Sequence, residues 1–278
     1  MAIFPLYKDF FDFLEKIETG RDPWEVYRDI YIRPHAKFFK SYWTAFLPHI
    51  DLGTLQNRVR RVRRGHYAVL EHLIFESDLE RRVADTIDAC HRRLPRASRP
   101  DVYLMVGFFS ADGFVVFFQE RPAIGIGLER YRDFRLLDII LAHEYCHCAR
   151  QTASGESRTD SKEHLDQKLF SEGLSVHFSR QIFPQRPLCD HLLMSRQRLN
   201  WCQENEGMLL GLVEGRLSSP ELIPVLFGTG NFAEGIPPRA GMYLGYRLVE
   251  RMLARGEQTS VEELLTLGDV TAVWPEGR

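Results

Sequence analysis

The chain reads as an α+β protein, mostly helical, in which a helical N-terminal layer precedes a small, mainly antiparallel sheet and a second helical region. Three observations predict this. Apolar residues recur at helical spacing through residues 4–97, the pattern changes at Arg99-Pro100-Asp101 to runs rich in Val, Phe and Tyr, and helical spacing returns from Phe134. The organisation expected is a helical layer over 1–97 and one compact region over 98–278 that carries the chemistry.

Composition narrows the class. The 278 residues are 44% hydrophobic and 27% charged, with a net charge of -2, so neither sign of charge dominates. No continuous apolar run reaches the roughly 18–20 residues of a membrane span, and Lys8, Asp9 and Asp12 break up the N-terminus. Neither a membrane partner nor a signal peptide is expected. Five Cys is an odd number, and Cys146 and Cys148 would lie about 200° apart on one helix, where they cannot pair. A reduced, cytoplasmic location follows as an expectation.

In the N-terminal layer, Asp22-Pro23-Trp24-Glu25 combines an Asp cap, a Pro in the first helical position and a Glu three residues on, starting a helix toward Ile32. A later helix places Leu79, Val83, Ile87, Cys90 and Leu94 on one side, with Arg81, Arg82, Asp85 and Arg92 on the other. Between them Arg58, Arg60, Arg61, Arg63 and Arg64 form a basic cluster that could meet nucleic acid. Glu71, Glu76 and Asp78 can balance it and no nucleic-acid motif accompanies it, so a solvated helix face is the better reading.

Residues 102–109 and 114–119 read as strands joined by a hairpin turn at Ser110-Ala111-Asp112-Gly113. In a third strand over 123–129, Ile124, Ile126 and Leu128 alternate with Gly125 and Gly127, leaving one face as bare backbone.

The helix from Phe134 contains His143-Glu144-Tyr145-Cys146-His147. Residues four apart stand one turn above each other, so both imidazoles can reach one metal ion while Glu144 falls beside them. Only Arg135 and Asp138 interrupt the apolar pattern, and two imidazoles and a carboxylate inside a mostly buried helix need a partner that a divalent cation supplies. Zinc in a catalytic site keeps three protein ligands and one open position. The continuation H-x-x-G-x-x-H fails, because Arg150 and Ala153 stand where the Gly and the third His belong.

The next helical pattern, from about Glu163 to Phe183, places Glu172 in a stripe with Leu165, Leu169 and Val176, which makes it the leading third ligand. Asp160, Glu163, His164 and Asp166 are its rivals. Gly173 would let that helix approach the His-bearing helix closely. Residues 151–161 read as a loop. A helix follows from about Cys189 to Arg216, then a short one capped by Ser218-Ser219-Pro220, then an irregular stretch over 228–238 that is a candidate lid. The last long helix, Arg239–Arg255, carries Tyr246 at the edge of its buried face and Tyr243 on its more polar side.

H-E-Y-C-H followed by F-S-E-G-L-S resembles the gluzincin metallopeptidases, whose third ligand is a Glu on the next helix. More closely, the chain resembles an uncharacterised bacterial family of predicted zinc-dependent proteases with H-E-Y-x-H, E-G-L-A and a late G-Y-x-x-G-Y. Here the last two read E-G-L-S from Glu172 and G-M-Y-L-G-Y from Gly241, over a likeness that extends from Asp22 to about Leu267. The departures, Ser175 and Met242, leave the ligands untouched. The resemblance implies a zincin-like catalytic region over 98–278 that cleaves a peptide or protein substrate. It implies Zn2+ on His143, His147 and Glu172, Glu144 as general base, and Tyr246 or Tyr243 against the oxyanion. It also implies a substrate strand laid on an edge strand, for which residues 123–129 are the candidate. Two other readings stay open. One is a non-catalytic regulatory or binding protein with structural zinc; the other is a nucleic-acid-binding protein acting through Arg58–Arg64.

Overall fold

The computed structural model describes residues 1–47, 49, 51–108, 110–119, 121–154, 164–228, 230–231, 235–255 and 260–267. It is an α+β fold, mostly helical, with one small sheet. Contacts divide the chain into two compact units, Met1–Asp88 with Arg99–Glu144, and Ala89–Ser98 with Tyr145–Arg278.

The first unit begins with β1 (Ile3–Phe4), α1 (Tyr7–Ile17) and α2 (Pro23–Tyr27). Asp22 caps α2 as its sequence predicts, accepting from Trp24 N at 2.9 Å and Glu25 N at 3.1 Å. A π-helical turn, Arg28–Ile32, carries the helix on to Ile32. Then come α3 (Ala36–Phe46), α4 (Leu52–Arg60), α5 (Ala68–Ser77) and α6 (Leu79–Arg93), the last continuing into the second unit. The expected apolar face of α6 is buried at all its positions, Leu79, Val83, Ile87, Cys90 and, just past the helix, Leu94. Aromatic rings fill the space between helices and sheet, with Phe38 stacked on Tyr103 at 4.0 Å and Phe10 edge-on to Tyr31 at 5.5 Å.

The sheet consists of β2 (Val102–Met105), β3 (Gly113–Phe118), β4 (Arg121–Gly127) and β1, in the order β1-β2-β4-β3. It is mixed rather than mainly antiparallel. β1 pairs with β2, and β2 with β4, in parallel; only β3 and β4 form an antiparallel hairpin, Gly113 opposite Ile126 and Phe118 opposite Arg121. The hairpin expected at 110–113 does not form because the chain leaves the strand after Met105. The Tyr31 hydroxyl accepts from Val106 N and donates to Val106 O, Phe108 takes a left-handed conformation (φ 62°), and Gly107 N and Ser110 Oγ both donate to Glu129 Oε1.

The bare face of β4 is covered. A side chain at Gly125 would overlap the Phe114 ring, and one at Gly127 would overlap Ser110. With partners on both sides, β4 is also not an edge; β3 is. α7 (Leu137–Ser154) starts in this unit, where Arg82 on α6 clamps Asp138 with two bonds of 2.6 and 2.7 Å and donates to Phe134 O at 2.8 Å. Asp138, an interruption of the apolar pattern, thus meets a guanidinium at the N-terminal end of its helix.

The second unit takes the rest of α7, followed by α8 (Leu165–Ile182). Next are α9 (Leu188–His191), α10 (Arg196–Glu204) and α11 (Glu206–Val213). These replace the single helix expected over 189–216, because Leu193 turns left-handed (φ 50°) and Ser195 opens a new helix by accepting from Arg198 N at 3.3 Å. α12 (Ile223–Phe227) begins later than the Ser218-Ser219-Pro220 cap implied, since Ser219 Oγ accepts from Glu221 N in a turn ahead of it. α13 (Ala240–Arg255) and α14 (Val261–Leu265) complete the order. In the candidate lid, Asn231 and Ile236 form a bridge of two backbone bonds, and Ile236 is buried.

Gly173 does permit a close helix approach, but to α13 and not to α7. A side chain there would overlap the Gly245 backbone, and one at Gly245 would overlap Leu169 O. Arg150, buried near the end of α7, donates to Leu267 O at 3.2 Å and Gln167 Oε1 at 3.1 Å, with its guanidinium 4.7 Å from the Phe170 ring centre.

Candidate metal centre

α7 presents His143 and His147 one turn apart, and α8 brings Glu172 to them. One ligand atom from each of the three lies within 4.8 Å of the others. His147 Nε2 is 3.7 Å from Glu172 Oε2. Two ligand atoms bound at about 2.0–2.1 Å to one tetrahedral ion sit roughly 3.3 Å apart, close to the 3.7 Å between His147 and Glu172. His143 is 3% exposed, and the side chains of His147 and Glu172 are 16% and 12% exposed. Two imidazoles and a carboxylate are the donor set that zinc takes with a position left over for water.

The ring of His147 is oriented by a residue that sequence reasoning does not single out. Ser171 Oγ lies 3.1 Å from His147 Nδ1; in the tautomer with its proton on Nδ1 the ring donates to the hydroxyl and keeps its lone pair on Nε2, the atom facing Glu172. Gly113 is a second such residue. A side chain at the head of β3 would overlap Ile140 and come within 3.0 Å of Glu144 Cγ, so the glycine leaves room for Glu144. Lys168, 2.9 Å from Glu172 Oε1, is a third. The sequence signal for Ser171 and Lys168 is only their place on the helix of Glu172; for Gly113 there is none, because β3 and α7 meet across the fold.

Of the rivals to Glu172, Asp160 and Glu163 lie outside the described residues. Asp166 is buried, and its Oδ1 accepts from Gln167 N at 2.7 Å. His164 is exposed at the residue preceding α8. Among the described residues the ligand group includes no cysteine. Burial pushes the Cys146 thiol up to about 12. A structural zinc normally has four protein ligands, and the group found among the described residues has three, His143, His147 and Glu172.

Neither tyrosine hydroxyl is left to itself. Tyr243 donates to Glu206, and Tyr246 donates to Glu250 while accepting from Arg180; its ring stacks on His177 with centres 6.4 Å apart. Burial, reinforced by the carboxylate partners, pushes both phenols well above their ordinary value. In the basic cluster, Arg64 pairs with Glu71 at 3.3 Å and Glu18 at 3.8 Å, Arg60 with Asp22 at 3.5 Å, and Arg63 donates to the carbonyl of Val62 at 2.7 Å.

No described helix is long and apolar enough to cross a membrane. A family model described as "Predicted Zn-dependent protease (DUF2268)" matches residues 105–271, more than half of the chain and all of the ligand group. No curated protein and no solved structure matches.

Proposed function

The chain belongs to the DUF2268 family of predicted Zn-dependent proteases, and on that premise we propose that it is a zinc metallopeptidase of gluzincin type. The observation that carries the reading is the convergence of His143, His147 and Glu172, with Glu144 next to His143 on the same helix. His143, His147 and Glu172 would hold the ion. Bound zinc supplies Lewis acidity toward the scissile carbonyl and the attacking water. Glu144 takes a proton from that water as it adds to the carbonyl carbon, and passes it to the nitrogen of the leaving amine as the C–N bond breaks. Glycine at position 113 gives the Glu144 side chain the space in which to do both.

The substrate is a peptide in extended form. β3 ends the sheet, and its first residue lies over Glu144, so an added strand along β3 would run past the general base. Main-chain hydrogen bonds would then supply most of the affinity, with little demand on side-chain identity. Oxyanion assistance from Tyr246 or Tyr243 would require either hydroxyl to leave its carboxylate, Glu250 or Glu206. We propose that the chemistry resides within residues 98–278, with residues 1–97 as a helical layer.

Metal analysis and chelator competition test the ligand set. About one zinc per chain is expected, none in the His143→Ala, His147→Ala double variant, and much weaker retention in Glu172→Ala than in Asp166→Ala. Equal retention in the last two would move the third ligand elsewhere.

A further inference from the structure

The carboxylate of Glu172 has two oxygens, and the fold treats them differently. Oε2 faces His147 Nε2 at 3.7 Å, whereas Oε1 is held by Lys168 Nζ at 2.9 Å. Lys168 is an unusual lysine. Its side chain is only 19% exposed, it lies one turn before Glu172 on α8, and its ammonium stands 5.7 Å from the ring centre of Phe227 at the end of α12. The ring has its place because Gly241 on α13 has no side chain there to overlap it.

Helix stability does not account for this pair. A Lys preceding a Glu by four residues is the less favourable order on a helix, and withdrawing both charges from water offsets much of their attraction. What the arrangement does achieve is direction. A charge-assisted bond to Oε1, with the aromatic face as a backstop for the ammonium, fixes the carboxylate plane and leaves Oε2 as the oxygen offered to the imidazoles.

We infer that Lys168 is a positioning residue that holds Glu172 as a one-oxygen metal ligand. The inference rests on the reading of Glu172 as the third ligand. Together with Ser171 on His147, it makes one short stretch of α8, Lys168 to Glu172, the source of a ligand and of the groups that orient two of the three ligands. A carboxylate released from Lys168 could turn both oxygens to the ion and take the position otherwise open to water.

The test uses the full chain loaded with zinc, and separately with cobalt(II), in wild type, Lys168→Met, Lys168→Arg and Glu172→Ala. Thermal melting checks that each is folded. Chelator competition is expected to show zinc affinity lowered roughly tenfold or more in Lys168→Met, as for loss of an orienting partner, and largely restored in Lys168→Arg. The cobalt absorption spectrum should change in Lys168→Met and return in Lys168→Arg, a signature that a purely structural lysine would not move. Wild-type affinity and an unchanged spectrum in a folded Lys168→Met would overturn the inference. Should Lys168→Met not fold, Lys168→Gln takes its place, and wild-type affinity with an unchanged spectrum in that folded variant would do so. Unweakened zinc in Glu172→Ala is a different result, since it removes the third ligand and the reading beneath the inference.

Discussion

Glu144 can occupy its place because residue 113 carries no side chain. A methyl group at Gly113 would collide with Ile140 and press on Glu144 Cγ, which is 3.0 Å away. Gly113→Ala is therefore expected to keep its zinc while kcat/KM for a peptide falls by about a hundredfold, the scale of an ångström-sized misplacement at a reacting group. Wild-type turnover in that variant would show that Glu144 has room to spare. The candidate ligand group was legible because helical geometry makes it local: His143 and His147 are one turn apart, and Glu172 stands out as a carboxylate in an apolar stripe. Ser171, Lys168 and Gly113 were not legible, since each matters through a contact that spacing alone does not reveal.

α8 packs against α13 and against α9. At the first, α8 and α13 touch backbone to backbone at Gly173 and Gly245, where a side chain on either would overlap the other helix. Gly245→Ala should lower stability by about 1–3 kcal/mol or more through overpacking, read as a reduced melting temperature. An unchanged melting temperature would mean that the helices part at no cost. The contact was only half legible, because an interior glycine announces a close approach but not which helix approaches.

At the second, the fully buried His191 of α9 has Nδ1 2.9 Å from Ser179 Oγ of α8. Burial, with Arg180 and Arg186 adding to it against Asp190 and the Phe183 carbonyl, lowers its imidazole to about 4. The unfolded chain binds the proton first, near pH 6.5, so the native state holds its full advantage above that value. Stability should fall as pH drops from about 6.5 to 4, by up to ~3 kcal/mol, and level off below. Denaturant melts at pH 7 and pH 5 check this, with His191→Gln expected to reduce the difference. An identical pH response in that variant would assign the titration to another group.

Across the whole molecule, the mostly helical α+β class was legible from hydrophobic period, whereas the order of the sheet was not. β1 is two residues long and pairs with a strand about a hundred residues away, and β2 passes over its neighbour in sequence to pair with β4. Neither pairing leaves a local trace. That order bears on the proposed substrate strand, because it places β4 between two partners and leaves β3, with Gly113 over Glu144, at the edge. The most direct test of the proposed chemistry is peptide cleavage by Glu144→Gln, prepared with its zinc content measured. The amide keeps the size of the side chain and cannot accept a proton from the attacking water, so zinc should remain near one per chain while hydrolysis drops by roughly a hundredfold or more. Cleavage at the wild-type rate by that zinc-loaded variant would contradict the account.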